Sequence, residues 1–248
     1  MNGPEFSPES VGRQAFGLAE PCTGRGNGSA HPLRERLLAA LRWNPWVILA
    51  VHGALAASLY TLAAHFPIRE PAVVAPWTID AAIPLVPAAA WPYATYLLLL
   101  PATVLAARTL PAFERVLLCG LTCALLNVLV YIAWPTMLAA RAPAPPGTLL
   151  AVIQHLDTTR CAIPSGHVSL PTALAVSAAL AAGSVSASRK SWTLLMLAFG
   201  VWAVLLAAST LLTKQHYMVD ALVGAVFGAS VAGGVWAACA PVRSHGRG

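Results

Sequence analysis

The run Cys161-Ala162-Ile163-Pro164-Ser165-Gly166-His167 opens an apolar segment that continues to about Ala182. Pro164 and Ser165 are helix-start residues, Gly166 leaves main-chain amides uncovered, and His167 falls in the first turn. A helix that begins this way points free N–H groups and the positive end of its dipole at whatever lies before it. The run therefore reads as an anion site with a titratable side chain built in, at the mouth of a membrane span. A second run, Lys214-Gln215-His216-Tyr217-Met218-Val219-Asp220, opens the last apolar segment in a similar way. The two helix mouths are expected to face each other and to handle one phosphate together.

Composition supports a membrane setting. The 248 residues are 58% hydrophobic and 10% charged, with a mean hydropathy of +0.69. A soluble domain of this size carries about a quarter charged residues. The apolar runs suit helices of about 20 residues, and they lack the polar–apolar alternation of membrane β-strands. The net charge of +6 comes from scattered basic residues rather than a clustered patch, so nucleic acid is not an expected partner. Cys22, Cys119, Cys123, Cys161 and Cys239 form no CxxC pair and no His–Cys spacing that would hold a metal. No metal and no cofactor are expected.

The predicted architecture is all-α, with six transmembrane helices in one bundle. Residues 1–42, rich in Gly, Pro, Ser and charge, read as a disordered cytoplasmic tail that ends in a short amphipathic stretch from Leu33 to Leu41. Residues 43–240 form the membrane domain and residues 241–248 a short basic tail. The expected spans are Trp46 to His65, Ala88 to Ala107 with a kink at Pro101, and Val116 to Trp134. They continue with Pro164 to Ala182, Trp192 to Leu212 and Tyr217 to Ala238. Trp46, Trp192 and Trp236 lie near span ends and read as interfacial anchors. Gly224, Gly228 and Ala232 line one face of the last span, where small residues let a neighbouring backbone approach. Packing inside the bundle is the first reading of that face, and a homodimer contact is the alternative.

Positive charge sets the expected orientation. Eleven Lys and Arg residues fall in the tails and in the second–third and fourth–fifth turns, and four (Arg69, Arg141, Arg160, Lys214) fall on the other side. The positive-inside rule then places both termini in the cytoplasm and both histidine-bearing mouths on the non-cytoplasmic face, in a plasma (inner) membrane. Arg141, Arg160 and Lys214 lie in the same connectors as the two motifs. A bound phosphate would explain their position against the charge bias.

His216 and Asp220 are four apart and share a helix face. An Asp one turn inside an apolar span needs a partner, and the imidazole of His216 is the nearest. A carboxylate holding one ring nitrogen leaves the other lone pair outward, as a nucleophile or base. A structural polar pair at a helix end is the competing reading. His167 suits a proton donor or phosphate ligand. Asp80 and Asp157, in the same connectors, are candidates to meet a polar head group such as inositol. His52, His65 and His155 read as structural or solvated.

Pro164-Ser165-Gly166-His167, followed by Ser209, His216 and Asp220, resembles the second and third motifs of the type 2 phosphatidic acid phosphatase superfamily. The resemblance covers roughly residues 75–235. The departures lie in the cations: Thr210 stands where the third motif has arginine, and the first motif is reduced to Arg141-Ala142-Pro143 with no lysine upstream. Thr213-Lys214-Gln215-His216-Tyr217 with Asp220 is closer in pattern to the subgroup that includes the inositol phosphorylceramide synthases. The Ile83-Pro84-Leu85-Val86-Pro87 connector fits the same subgroup.

The resemblance implies a metal-independent lipid phosphatase in which His216, oriented by Asp220, becomes a phosphohistidine while His167 protonates the leaving oxygen. Arg141, Arg160, Lys214 and the Ser165 and Gly166 amides are the candidate phosphate ligands. One alternative is a phospho-head-group transferase acting on a lipid alcohol. A second is a non-catalytic lipid-binding or transport protein on the same scaffold.

Overall fold

The structure, a computed structural model, describes residues 32–239. The expectations for residues 1–31, including Cys22, and for the 241–248 tail lie outside the described residues. A first amphipathic helix, α1 (Pro32–Trp43), covers the end of the segment assigned to the tail and carries Leu41 into the core. Among the described residues, six helical stretches are long and apolar enough to cross a membrane, as expected. They are α2 (Pro45–His65), the broken run Pro87–Ala107, α6 (Phe113–Ala133), α8 (Gly166–Ser184), α9 (Arg189–Leu212) and α10 (Met218–Ala238).

Local chemistry fixes several helix boundaries. Asn44 caps α2 by accepting from the Val47 amide at 3.3 Å, and Pro45 occupies the first helical position. The second span divides into α4 (Ala90–Ala94), a 3-10 stretch (Thr95–Leu98) and α5 (Leu99–Ala107). Pro101 has no N–H to return to Leu97, so the distortion appears one turn before the proline. In α8, Pro171 likewise leaves the carbonyl of His167 without its i+4 donor.

Helix α8 lies at the centre and packs against α6, α9 and α10. Leu170, Leu174 and Ala178 bury against Leu117, Leu121, Phe199 and Leu206. Trp192 also lies fully buried, and its indole N–H donates to the Pro111 carbonyl at 3.0 Å. This corrects its reading as an interfacial anchor: the indole finds its polar partner inside the protein. Trp236 is half-buried with its N–H on the Ser177 hydroxyl at 2.7 Å, whereas Trp46 is exposed. Val51, Leu55, Val201, Val204 and Leu205 point outward from α2 and α9, as lipid contact requires.

The connectors gather at one end. Strand β1 (Ala72–Val74) pairs in parallel with β2 (Thr136–Leu138), in the register Ala72↔Thr136 and Val74↔Leu138. Cys161 N donates to Thr136 O at 2.8 Å and Ile163 N to the Thr136 hydroxyl at 2.9 Å, which ties the entry to α8 onto β2. Val86 N donates to Leu212 O at 2.8 Å, which ties the first connector to the end of α9. Two short helices, α3 (Thr78–Ala82) and α7 (Leu149–Leu156), complete this cap. Proline-rich connectors that carry little periodicity thus obtain order from long-range main-chain pairing.

The small-residue face of α10 is used inside the bundle. A methyl group added at Gly224 would lie 2.7 Å from the Ser165 carbonyl oxygen, and one at Gly228 would overlap the Ser169 carbonyl. Gly233 faces open space. Gly228→Ala is therefore expected to destabilise the fold by about 1–3 kcal/mol through overpacking. Gly233→Ala is expected to be neutral or stabilising by up to about 1 kcal/mol through helix propensity. Thermal unfolding of the two variants in detergent would check the contrast.

Candidate functional site

The mouths of α8 and α10 meet directly. The Ser165 amide donates to the Asp220 carbonyl at 3.1 Å, and the glycine face of α10 seats the backbone of Ser165 and Ser169. This contact brings the imidazoles of His167 and His216 to 5.9 Å between ring centroids. His216 Nδ1 stands 3.4 Å from Asp220 Oδ2, and Asp220 is fully buried. The same Oδ2 accepts from the Tyr217 amide at 2.9 Å, so the carboxylate is held by the helix start that it caps.

Buried polar atoms without partners concentrate here. Ser165 Oγ, Gln215 Nε2, His216 Nδ1 and Asp220 Oδ1 are buried and make no hydrogen bond. Folded proteins leave few such groups unpaired, which makes this group of four a candidate place for a ligand.

The two mouths are not equivalent. The first amides of α10 are taken by carboxylates: Tyr217 N by Asp220 and Met218 N by Asp80 Oδ1 at 2.7 Å. On α8, the Ser165 amide is used by Asp220 and Gly166 faces the Tyr131 hydroxyl, which itself donates to the Pro164 carbonyl at 2.6 Å. Ser165 therefore offers an unpaired hydroxyl rather than a free amide. His167 N lies at the second helical position, where the residue one turn back lies outside the helix.

The three candidate cations separate. Arg141 is held at the site's edge: Nη1 donates to Gln215 Oε1 at 2.9 Å, and Nη2 to the carbonyls of Gln154 and Asp157 at 3.1 and 3.2 Å. Gln154 fixes the loop around it through Ala142 O and Ala144 N. Arg160 instead turns to the end of α2, donating to Ala64 O at 3.0 Å, where terminal carbonyls lack helical partners. Lys214 has a left-handed backbone, φ 56°, and its ammonium donates to the Asp80 carbonyl at 2.6 Å. Both heads, expected beside Arg141 as phosphate ligands, here serve main-chain carbonyls. Thr210 is buried, its hydroxyl bonded to Ala207 O, while its own carbonyl accepts from the Gln215 and His216 amides.

The aspartates expected to meet a head group are also engaged internally. Asp80 accepts from Trp77 N and Met218 N at 2.7 Å each. Asp157 accepts from the Tyr60 hydroxyl, the Thr158 amide and, at 3.5 Å, the Tyr93 hydroxyl. His65 and His155 are exposed, as a solvated reading predicts.

Sequence reading missed the tyrosines. Tyr93 stacks on His167 at 4.0 Å and Tyr96 lies against it at 4.3 Å. Tyr60 meets Tyr131 edge-on at 6.2 Å, and the Tyr217 hydroxyl bonds both the amide and the carbonyl of Ala140. All five tyrosines of the chain thus lie around the two mouths. The available signal was their distribution, which concentrates them toward one end of the spans.

No family model matches the chain, and no curated protein matches it. Among solved structures it is similar to the first transmembrane PAP2 type phosphatidylglycerolphosphate phosphatase from Bacillus subtilis. That similarity covers 83% of this chain and 91% of the other, at 18% identity and a TM-score of 0.41.

Cys161 precedes the α8 mouth with a left-handed φ of 62° and is buried against Ala63, Ala64 and Tyr131. Burial, aided by the Asp157 charge and opposed by Arg160, pushes its thiol up to about 12. Because the thiolate is the reactive form, a raised value leaves the neutral thiol dominant across physiological pH. Iodoacetamide at pH 8 is expected to leave Cys161 unlabelled in the folded protein and to label it after unfolding, as read by peptide mass spectrometry.

Proposed function

We propose that the chain is an integral-membrane phosphoryl-transfer enzyme of the type 2 phosphatidic acid phosphatase superfamily, acting on a lipid phosphate. The observation that supports this most is the convergence of His167, His216 and Asp220 at one end of the bundle, from two different spans. The Pro-Ser-Gly-His run and the His-xxx-Asp pair are the motif elements that the family's chemistry uses. The charge distribution supports both termini in the cytoplasm and the site on the opposite face.

In this mechanism Asp220 faces Nδ1 of His216 and stabilises the tautomer whose Nε2 lone pair is free. Nε2 attacks phosphorus as the bond to the lipid oxygen breaks, and His167 donates a proton to that oxygen. Water then attacks the phosphohistidine, giving its proton back to His167 and releasing inorganic phosphate and free His216. General acid–base help of this kind contributes roughly 10² to 10⁴-fold. Charge on the equatorial oxygens is met by Arg141, the Ser165 hydroxyl and the first-turn amides of α8. No step requires a metal ion.

The head-group transferase runs the same two steps on a phosphodiester: the head group stays on phosphorus as the donor's lipid oxygen leaves, and a lipid alcohol replaces water in the second step. The observation in its favour is the enclosure of His167 between Tyr93 and Tyr96, which narrows the path by which water reaches the acid–base group. Reconstituted protein supplied with phosphatidic acid, or with an inositol phospholipid plus ceramide, would separate the outcomes. Release of inorganic phosphate from the first identifies the hydrolase, and transfer of the head group identifies the transferase.

Under either outcome His216→Ala and His167→Ala are each expected to lower turnover by at least about 10²-fold. Arg141→Ala is expected chiefly to raise KM, because it removes a phosphate contact already made in the ground state. Unchanged turnover in both histidine variants would exclude the enzyme reading.

A further inference from the structure

We infer that Asp80 is a positioning residue for His216, acting from the first connector as a bracket around the segment that carries the imidazole. This inference rests on the proposed role of His216 as the attacking group. Asp80 lies far from the two motifs in sequence, in a proline-rich connector, and sequence reading gave it a head-group role instead.

The bracket has two limbs on either side of His216. Two residues before it, the Lys214 ammonium donates to the Asp80 main-chain carbonyl at 2.6 Å. Two residues after it, the Met218 amide donates to Asp80 Oδ1 at 2.7 Å. The other carboxylate oxygen, Oδ2, accepts from the Trp77 amide at 2.7 Å and locks Asp80 at the start of α3. Asp80 is 5% exposed, so these bonds are made away from bulk water.

The segment needs such a hold. It leaves α9 through a left-handed residue, Lys214, and enters α10 two residues beyond His216. The Met218 amide is one of the donors that a helix start leaves without an internal partner. A carboxylate there also suits the positive end of the helix dipole. Without it, the turn 213–217 would keep its bonds to the end of α9, to Arg141 and to Asp220, but would lose its ties to the first connector on both sides of His216. A displacement of about 1 Å at a reacting atom costs on the order of 10²-fold in rate.

This geometry assigns Lys214 a scaffold role, and the two roles predict different kinetics. A phosphate ligand lost from the ground state raises KM, whereas a lost positioning contact lowers kcat.

The test uses full-length protein in phosphatidic acid vesicles together with hydrogen–deuterium exchange. Asp80→Ala is expected to accelerate exchange of the Met218 amide while the interior of α10 stays protected. It is also expected to lower kcat by about 10²-fold with KM within about threefold. Asp80→Asn keeps a carbonyl oxygen for Met218 and is expected to recover most of the loss. Lys214→Met keeps the aliphatic stem, and is expected to lower kcat about tenfold at unchanged KM.

Unchanged exchange at Met218 in a folded Asp80→Ala protein would overturn the bracket. Raised exchange with wild-type kcat would overturn its positioning role, and so would a Lys214→Met protein that changes KM alone. If Asp80→Ala does not fold, the kcat of Lys214→Met and of Asp80→Asn decides. If His216→Ala retains full turnover, the functional reading fails, while the exchange result still judges the bracket.

Discussion

The site depends on one close approach between two helices. The Ser165 amide of α8 bonds the Asp220 carbonyl of α10, and this is possible because α10 presents glycine at 224 and 228 where a side chain would meet backbone. In a bilayer, apolar surface gives little preference for helix over lipid, so backbone proximity and buried hydrogen bonds must supply the specificity. The same contact sets the separation of His167 and His216. The spacing of the two histidines and helix packing are therefore one constraint, and a methyl group at Gly228 would disturb both.

The two helix starts have divided their roles. Carboxylates of Asp80 and Asp220 occupy the first amides of α10, beside His216. The α8 start keeps the unpaired Ser165 hydroxyl and the first-turn amide of His167. In the proposed mechanism an anion approaching the pair meets the α8 start on one side and the His216 imidazole on the other. Arg141 adds the positive charge, held from behind by Gln215, Gln154 and Asp157 rather than left to swing in solvent. The tyrosines enclose His167 with ring faces and reach Asp157 through the Tyr60 and Tyr93 hydroxyls.

The spans, and the face shared by His216 and Asp220, were legible in sequence because each has a local signature. An apolar run of about 20 residues is a span whatever surrounds it, and His216 with Asp220 share a face by helical period alone. The packing of Gly224 and Gly228 was legible for the same reason. What sequence did not carry was the destination of long polar side chains. Arg141, Arg160 and Lys214 share connectors and sign, yet one faces the site, one closes α2 and one meets Asp80. Those choices follow from unpaired main-chain carbonyls at helix ends and turns, which appear only once the chain is folded. Trp192 illustrates the same limit: its position near a span end suggested the interface, while the Pro111 carbonyl gave its N–H a partner in the core.

The central claim is that His216 carries the phosphoryl group between donor and acceptor. Rapid denaturation in alkali of the protein during turnover of phosphorus-labelled phosphatidic acid, followed by peptide mapping, tests it most directly. The account predicts an acid-labile, alkali-stable phosphohistidine on His216, absent from His216→Ala and accumulating in His167→Ala when the second step slows. Label on His167, or burst-free turnover with no covalent label on either histidine, would contradict it.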